Sequence, residues 1–130
     1  MAVSLKEKFE ELARDAYQRP NERCNIRAIK MARAIKEAGK ESKIVKIISK
    51  ERTRILVPAI PRTKLWSFHY VCIDNNDFVY DPSIGVRLER ENYVQYIFPN
   101  QSVEFIESSD SAQLISEPLD EREVAFARGV

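Results

Sequence analysis

The chain has 130 residues, 44% hydrophobic and 32% charged, with 21 Lys plus Arg against 20 Asp plus Glu and a formal net charge of +1. This length accommodates one core, the apolar content excludes disorder, and no run approaches the roughly 20 apolar residues that span a bilayer. Two cysteines and a single histidine exclude a disulfide framework and every metal motif that needs two histidines, so no metal or other cofactor is implied.

The opening MAVSLKEKFE carries charges where a secretion signal needs an apolar core, which fits a cytoplasmic protein or one delivered without a signal peptide. Ser4 followed by Glu7 spells a capping box, and Leu5, Phe9, Leu12, Ala13, Ala16 and Tyr17 recur at helical spacing up to Pro20. A second helix, capped by Asn21 or Asn25, runs its apolar or small face through Cys24, Ala28, Met31, Ala32, Ile35 and Ala38 to a stop at Gly39. Cys24 therefore falls at or just before the first helical turn. KIVKIIS (43–49) and TRILVPAI (53–60) read as strands, the second ended or kept at an edge by Pro58 and Pro61, which have no N–H to give.

LWSFHYVCI (65–73) is the strongest strand signal, and the polar run 74–77 turns it into FVYD (78–81). Pro82 and Gly85 break that strand, Leu88, Tyr93, Tyr96 and Ile97 give 88–98 a helical spacing, and 102–106 returns as a last strand. Residues 1–107 thus read as one α+β domain, with N-terminal helices packed on a small, mainly antiparallel sheet. Residues 108–130 read as an acidic tail, loose or docked, with room for a short helix beyond Pro118.

Charge is distributed unevenly. Residues 30–64 hold 11 basic and three acidic side chains, a net +8, whereas 101–130 sum to −5. The basic residues fall largely on the polar positions of an amphipathic helix and an alternating strand, and no aromatic residues interleave with them as a base-stacking platform requires. This argues against a nucleic-acid partner and leaves a solvated face or a protein-docking surface.

The chemistry rests on few residues. A thiolate is a strong nucleophile, and both the unpaired amides of a helix start and a nearby imidazolium favour it. Cys24 has the first by position, and His69, the only histidine, is the only source of the second. Asp81, in the next strand, is the best orienter of the ring. If paired residues in the hairpin sum to 150, His69 faces Asp81 and Val71 faces Val79, while Tyr70, Cys72, Phe78 and Tyr80 take the opposite, core-facing side. A strict two-residue turn would give 151 and put His69 opposite Pro82; a three-residue or bulged turn is favoured here. Cys72, pointing away from His69 on the same strand, reads as core filling. Trp66, Phe68 and Tyr70 are candidates for an apolar substrate slot, although their alternation equally suits a core-facing strand. Taken singly, Cys24, His69 and Asp81 each have an ordinary structural explanation as a small core thiol, a satisfied core histidine and a turn starter.

A thiol at a helix start, an imidazole in a central strand and a carboxylate in the next strand resemble the papain-like and transglutaminase-like superfamily. The pattern is closest to compact papain-fold domains of bacterial polymorphic toxins. The matching strings are RCNIRAIKMARAIKEAGKESKIVKI, FHYVCI and FVYDPSIG, which together span about residues 18–98. The resemblance implies a papain-like fold and a Cys24–His69–Asp81 triad, with Gln18 as an oxyanion-supporting candidate. It implies an enzyme that attacks protein or peptide amides as a peptidase, deamidase or transglutaminase, in a toxin or effector with a neutralising partner protein. The alternative reading is an inactive protein-interaction domain of the same fold that uses the basic 30–64 surface.

Overall fold

Ser4 caps helix α1 (Leu5–Gln18): its Oγ accepts from the Glu7 N–H, the serine half of a capping box, while its hydroxyl rather than its backbone N–H donates to the Glu7 carboxylate, both at 3.1 Å. The computed structural model describes residues 4–18, 24–51, 55–59, 64–108 and 121–123. Helix α2 (Cys24–Glu37) ends as its sequence signals, with Gly39 at φ +82° and the N–H groups of Gly39 and Lys40 donating to Lys36 and Ile35 carbonyls. That pair of bonds is the Schellman closure that a left-handed glycine permits. Asn25 lies inside the first turn of α2 rather than capping it, and Asn21 lies outside the described residues.

The strands are β1 (Ser42–Ser49), β2 (Lys64–Trp66), β3 (His69–Asp74), β4 (Phe78–Asp81), β5 (Val86–Glu89), β6 (Val103–Ser108) and β7 (Glu121–Glu123), with helix α3 (Arg90–Ile97) after β5. Five of them form an antiparallel sheet in the order β5-β4-β3-β1-β6, and β2 pairs with β7 in a separate two-stranded ladder. The architecture is α+β, with the N-terminal helices packed on a small antiparallel sheet.

Both faces of the sheet are covered, which is why all six residues of β3 are buried. On the helix side Cys24, Ala28, Met31 and Ile35 pack with Tyr70, Cys72 and Tyr80, flanked by Leu5, Phe9, Leu12 and Phe78. On the other side Val71, Ile73 and Val79 pack with Trp66, Leu56, Tyr93, Ile97 and Phe98. The expected division of Tyr70, Cys72, Phe78 and Tyr80 from Val71 and Val79 is the one observed.

Several expectations are corrected. The 65–73 segment is two strands, because the chain leaves the ladder at Ser67 and Phe68 and sends β2 out of the main sheet. The helix expected over 88–98 begins at Arg90, because residues 86–89 are a strand: Val86 pairs with Asp81 and Leu88 with Val79, so the Val86 and Leu88 side chains alternate inward. In the expected 53–60 strand, residues 53, 54 and 60 lie outside the described residues, and in the remainder only Leu56 forms a bridge, to Trp66. Tyr17, expected on the apolar face of α1, is 89% exposed. At 121–123, beyond Pro118, the chain is a strand rather than a helix.

The β3–β4 register also differs by two, with Cys72 opposite Tyr80 and Ile73 opposite Val79. The cause is the turn. Asp74 Oδ1 accepts from the N–H groups of Asn76 (2.9 Å) and Phe78 (3.1 Å), and Asp77 takes the left-handed conformation at φ +66°. This places all three residues 75–77 in the loop. A shift of two preserves which face each side chain occupies. His69 and Asp81 consequently share a face but meet diagonally.

Candidate active site

Two strand ends meet at the entry to β3, and helix α2 packs on that strand. Helix α2 starts at Cys24, β3 starts at His69 and β4 finishes at Asp81. His69 Nε2 lies 2.8 Å from Asp81 Oδ2, and neither side chain has any exposed surface. A carboxylate only accepts, so the ring nitrogen donates. The same oxygen accepts from the Tyr93 hydroxyl of α3 at 2.6 Å. Asp81 Oδ1 and His69 Nδ1 are buried and have no partner of hydrogen-bond geometry among the described residues. Trp66 lies flat on the His69 ring, with centroids 4.0 Å apart and planes 6° apart.

Charge state follows from this arrangement. Burial, the largest influence on His69, works against its imidazolium, but the Asp81 charge and hydrogen bond, with a smaller contribution from nearby Cys24, outweigh it. His69 therefore holds its proton well above its ordinary range. Tyr93 is pushed in the same direction, first by burial, then by the charge and hydrogen bond of Asp81, then by the charge of Cys24.

Cys24 is a free thiol, 3% exposed, and opens a 14-residue helix whose first turn has no acidic side chain. The aligned amide dipoles of that helix start give it a positive electrostatic environment. Cys72 is different: it is fully buried and donates to the Ala28 carbonyl at 3.0 Å, and burial and the Asp81 charge push its thiol pKa up. This is core packing without nucleophilic character.

The remaining sequence candidates are dispersed. Gln18 ends α1, is exposed, and lines a cleft with Glu11, Leu12, Arg14, Asp15 and Lys30 that does not include Cys24. Trp66 and Tyr70 are 1% and 2% exposed and belong to the clusters on opposite faces of the sheet, so with Phe68 they do not line one open slot. Phe68, half-buried, meets Tyr70 edge-on and lies under the Lys46 ammonium at 4.6 Å. Among the described residues no group of three His, Cys, Asp or Glu side chains suits a metal ion, and no helix is long and apolar enough to cross a membrane.

Two members of this arrangement are not evident in the sequence. Tyr93 stands out there only for its apolar spacing, yet a buried tyrosine carries a hydroxyl that needs a partner, and a buried aspartate one strand away is such a partner. Trp66 reads as slot lining because the break after it at Ser67 has no strong turn signal. Compared with protein-family models, curated proteins and solved structures, the chain matches none.

Proposed function

We propose that this chain is a cysteine-dependent acyl-transfer enzyme of the peptidase or protein-glutamine deamidase type, with Cys24 as nucleophile, His69 as proton carrier and Asp81 as the group that orients the ring. One observation carries the reading: Asp81 anchors one nitrogen of the only histidine at 2.8 Å, leaving Nδ1 without a partner among the described residues, on a strand against which the Cys24 helix packs. In this reading the thiolate attacks an amide carbonyl, and the negative oxygen is met by the Cys24 N–H at the start of α2. His69 then gives its proton to the departing amine or ammonia. Water, deprotonated by His69, cleaves the thioester and restores the thiol. An amine in place of water gives transglutamination.

The papain-like or transglutaminase-like ancestry, a toxin or effector setting with a neutralising partner, and a cytoplasmic or signal-independent location belong to the same proposal. They rest on the order of helix-start thiol, strand imidazole and strand carboxylate. Gln18 enters it as oxyanion support only if the end of α1 approaches Cys24. Cys24 is 3% exposed, so the reading requires the thiol to become accessible before a substrate reaches it.

Mass spectrometry of casein incubated with the intact chain or with Cys24→Ala tests the proposal. A Cys24-dependent gain of about 1 Da at glutamine identifies deamidation, backbone scission identifies a peptidase and cross-linked species identify transglutamination. Casein is only a probe, so iodoacetamide labelling supplies the substrate-independent arm. Cys24 should label faster than Cys72, and His69→Gln should remove that advantage. Equal labelling with and without His69, together with unchanged casein, refutes the reading. Burial of all three groups favours one alternative, a catalytically inert domain that docks a protein through exposed Arg33, Lys36, Lys40 and Lys50.

A further inference from the structure

We propose that Tyr93 is a positioning residue of this site, its hydroxyl fixing the Asp81 carboxylate so that Oδ2 stays in line with His69 Nε2. The inference rests on the Cys24–His69–Asp81 reading above and extends it to a fourth residue on a different element. Both short bonds of the carboxylate converge on one oxygen, 2.6 Å from Tyr93 and 2.8 Å from His69, while Oδ1 has no protein partner among the described residues. Rotation of the carboxylate is therefore resisted by two donors only, and one of them is the ring that must remain free to move a proton.

Tyr93 suits the task because it is itself immobile. It is fully buried on α3, its ring meets Phe98 edge-on at 6.3 Å, and α3 packs on β4 and β5. The titratable groups around the carboxylate are Cys24 from α2, His69 and Cys72 from β3 and Tyr93 from α3. At the paired ladder positions β1 and β5 present Ile47 to His69 and Val86 to Asp81, neither of which titrates. Tyr93 is thus the donor that competes with His69 for Oδ2. Its removal leaves the whole acceptor strength of that oxygen to the imidazolium while loosening the carboxylate's orientation.

The single histidine makes the test free of assignment ambiguity. In the full chain labelled with 15N-histidine, Tyr93→Phe is expected to raise the His69 titration midpoint by about half a pH unit. Iodoacetamide labelling of Cys24 should slow by roughly threefold to tenfold from lost alignment. A role confined to packing would lower the melting temperature and leave the midpoint in place. If Tyr93→Phe does not fold, replacing all tyrosines by 3-fluorotyrosine keeps the bond and makes the phenol a stronger donor, and the midpoint is then expected to fall. A midpoint unmoved in the folded variant, or in the fluorinated protein if that variant does not fold, overturns the inference. Labelling of Cys24 that ignores His69 would instead remove the active-site reading and leave the NMR result standing on its own.

Discussion

Replacing Asp81 by Asn in a Cys24→Ala background is expected to reverse the sign of the pH dependence of stability. The Cys24→Ala change removes the thiol from the comparison, so that His69 and Asp81 can be followed as a pair. In that background Asp81 still holds the imidazolium above its ordinary range. The stabilisation is complete below the unfolded value of roughly 6.5 and is lost as pH rises toward the folded one. Between those limits the folded chain binds one proton more than the unfolded chain, and stability falls by up to about 1.4 kcal/mol per pH unit. With a neutral carboxamide in place of the carboxylate, the attraction is gone but the burial of a ring with 0% exposure remains. The folded midpoint then drops below the unfolded one. Stability becomes flat above about pH 6.5 and declines as pH falls below it. Breaking a buried pair of this kind also lowers the whole curve by about 3–5 kcal/mol, which a domain of ordinary stability, about 5–15 kcal/mol, survives in part. Urea denaturation at half-unit pH steps, with constant m, measures both curves, and subtraction cancels the groups common to both proteins. Parallel curves would refute the assignment of the His69 charge to Asp81.

Three further outcomes follow from packing and turn geometry. Trp66→Ala removes the ring stacked on His69 at 4.0 Å together with a side chain that is 1% exposed; a loss of about 3–5 kcal/mol in urea denaturation is expected, with a loss under about 1 kcal/mol contradicting its place in the core. Asp74→Ala leaves the turn amides of Asn76 and Phe78 and the Tyr80 hydroxyl without their shared acceptor, for an expected loss of about 2–3 kcal/mol by the same assay. Gly39→Ala meets no atom within 4 Å but must adopt φ +82°, so it should destabilise by about 1–2 kcal/mol through backbone strain alone, and a neutral result in thermal melts would contradict that conformation.

Local signals carried the helices well. Ser4 with Glu7 at one end and Gly39 at the other have direct backbone consequences, and those consequences are present as hydrogen bonds. Alternation in 70–80 sorted side chains between the two faces of the sheet, because that property depends only on parity. What escaped was whatever depends on a partner distant in sequence. Val86-Arg87-Leu88-Glu89 alternates like a strand, but Leu88 also fits a helical spacing with Tyr93, and only pairing with β4 decides between them. The two-residue register offset arises at Asp77, whose φ of +66° is a conformation usually signalled by Gly or Asn. For the candidate site, residue types and chain order pointed to Cys24, His69 and Asp81, whereas Tyr93 and Trp66 enter through tertiary packing. With one histidine in the chain, composition alone names the ring that any imidazole chemistry must use.

The stack of Trp66 on His69 has a practical consequence as well. The chain contains one tryptophan and one histidine, and they lie face to face with ring planes 6° apart. Any event that changes the charge of the imidazole changes the electric field at the sole indole. The intrinsic fluorescence of the unlabelled protein is therefore an optical reporter of this one ring, with no other indole to dilute the signal. Protonation of the imidazole and displacement of the segment that carries the indole can both be followed in real time by stopped-flow emission.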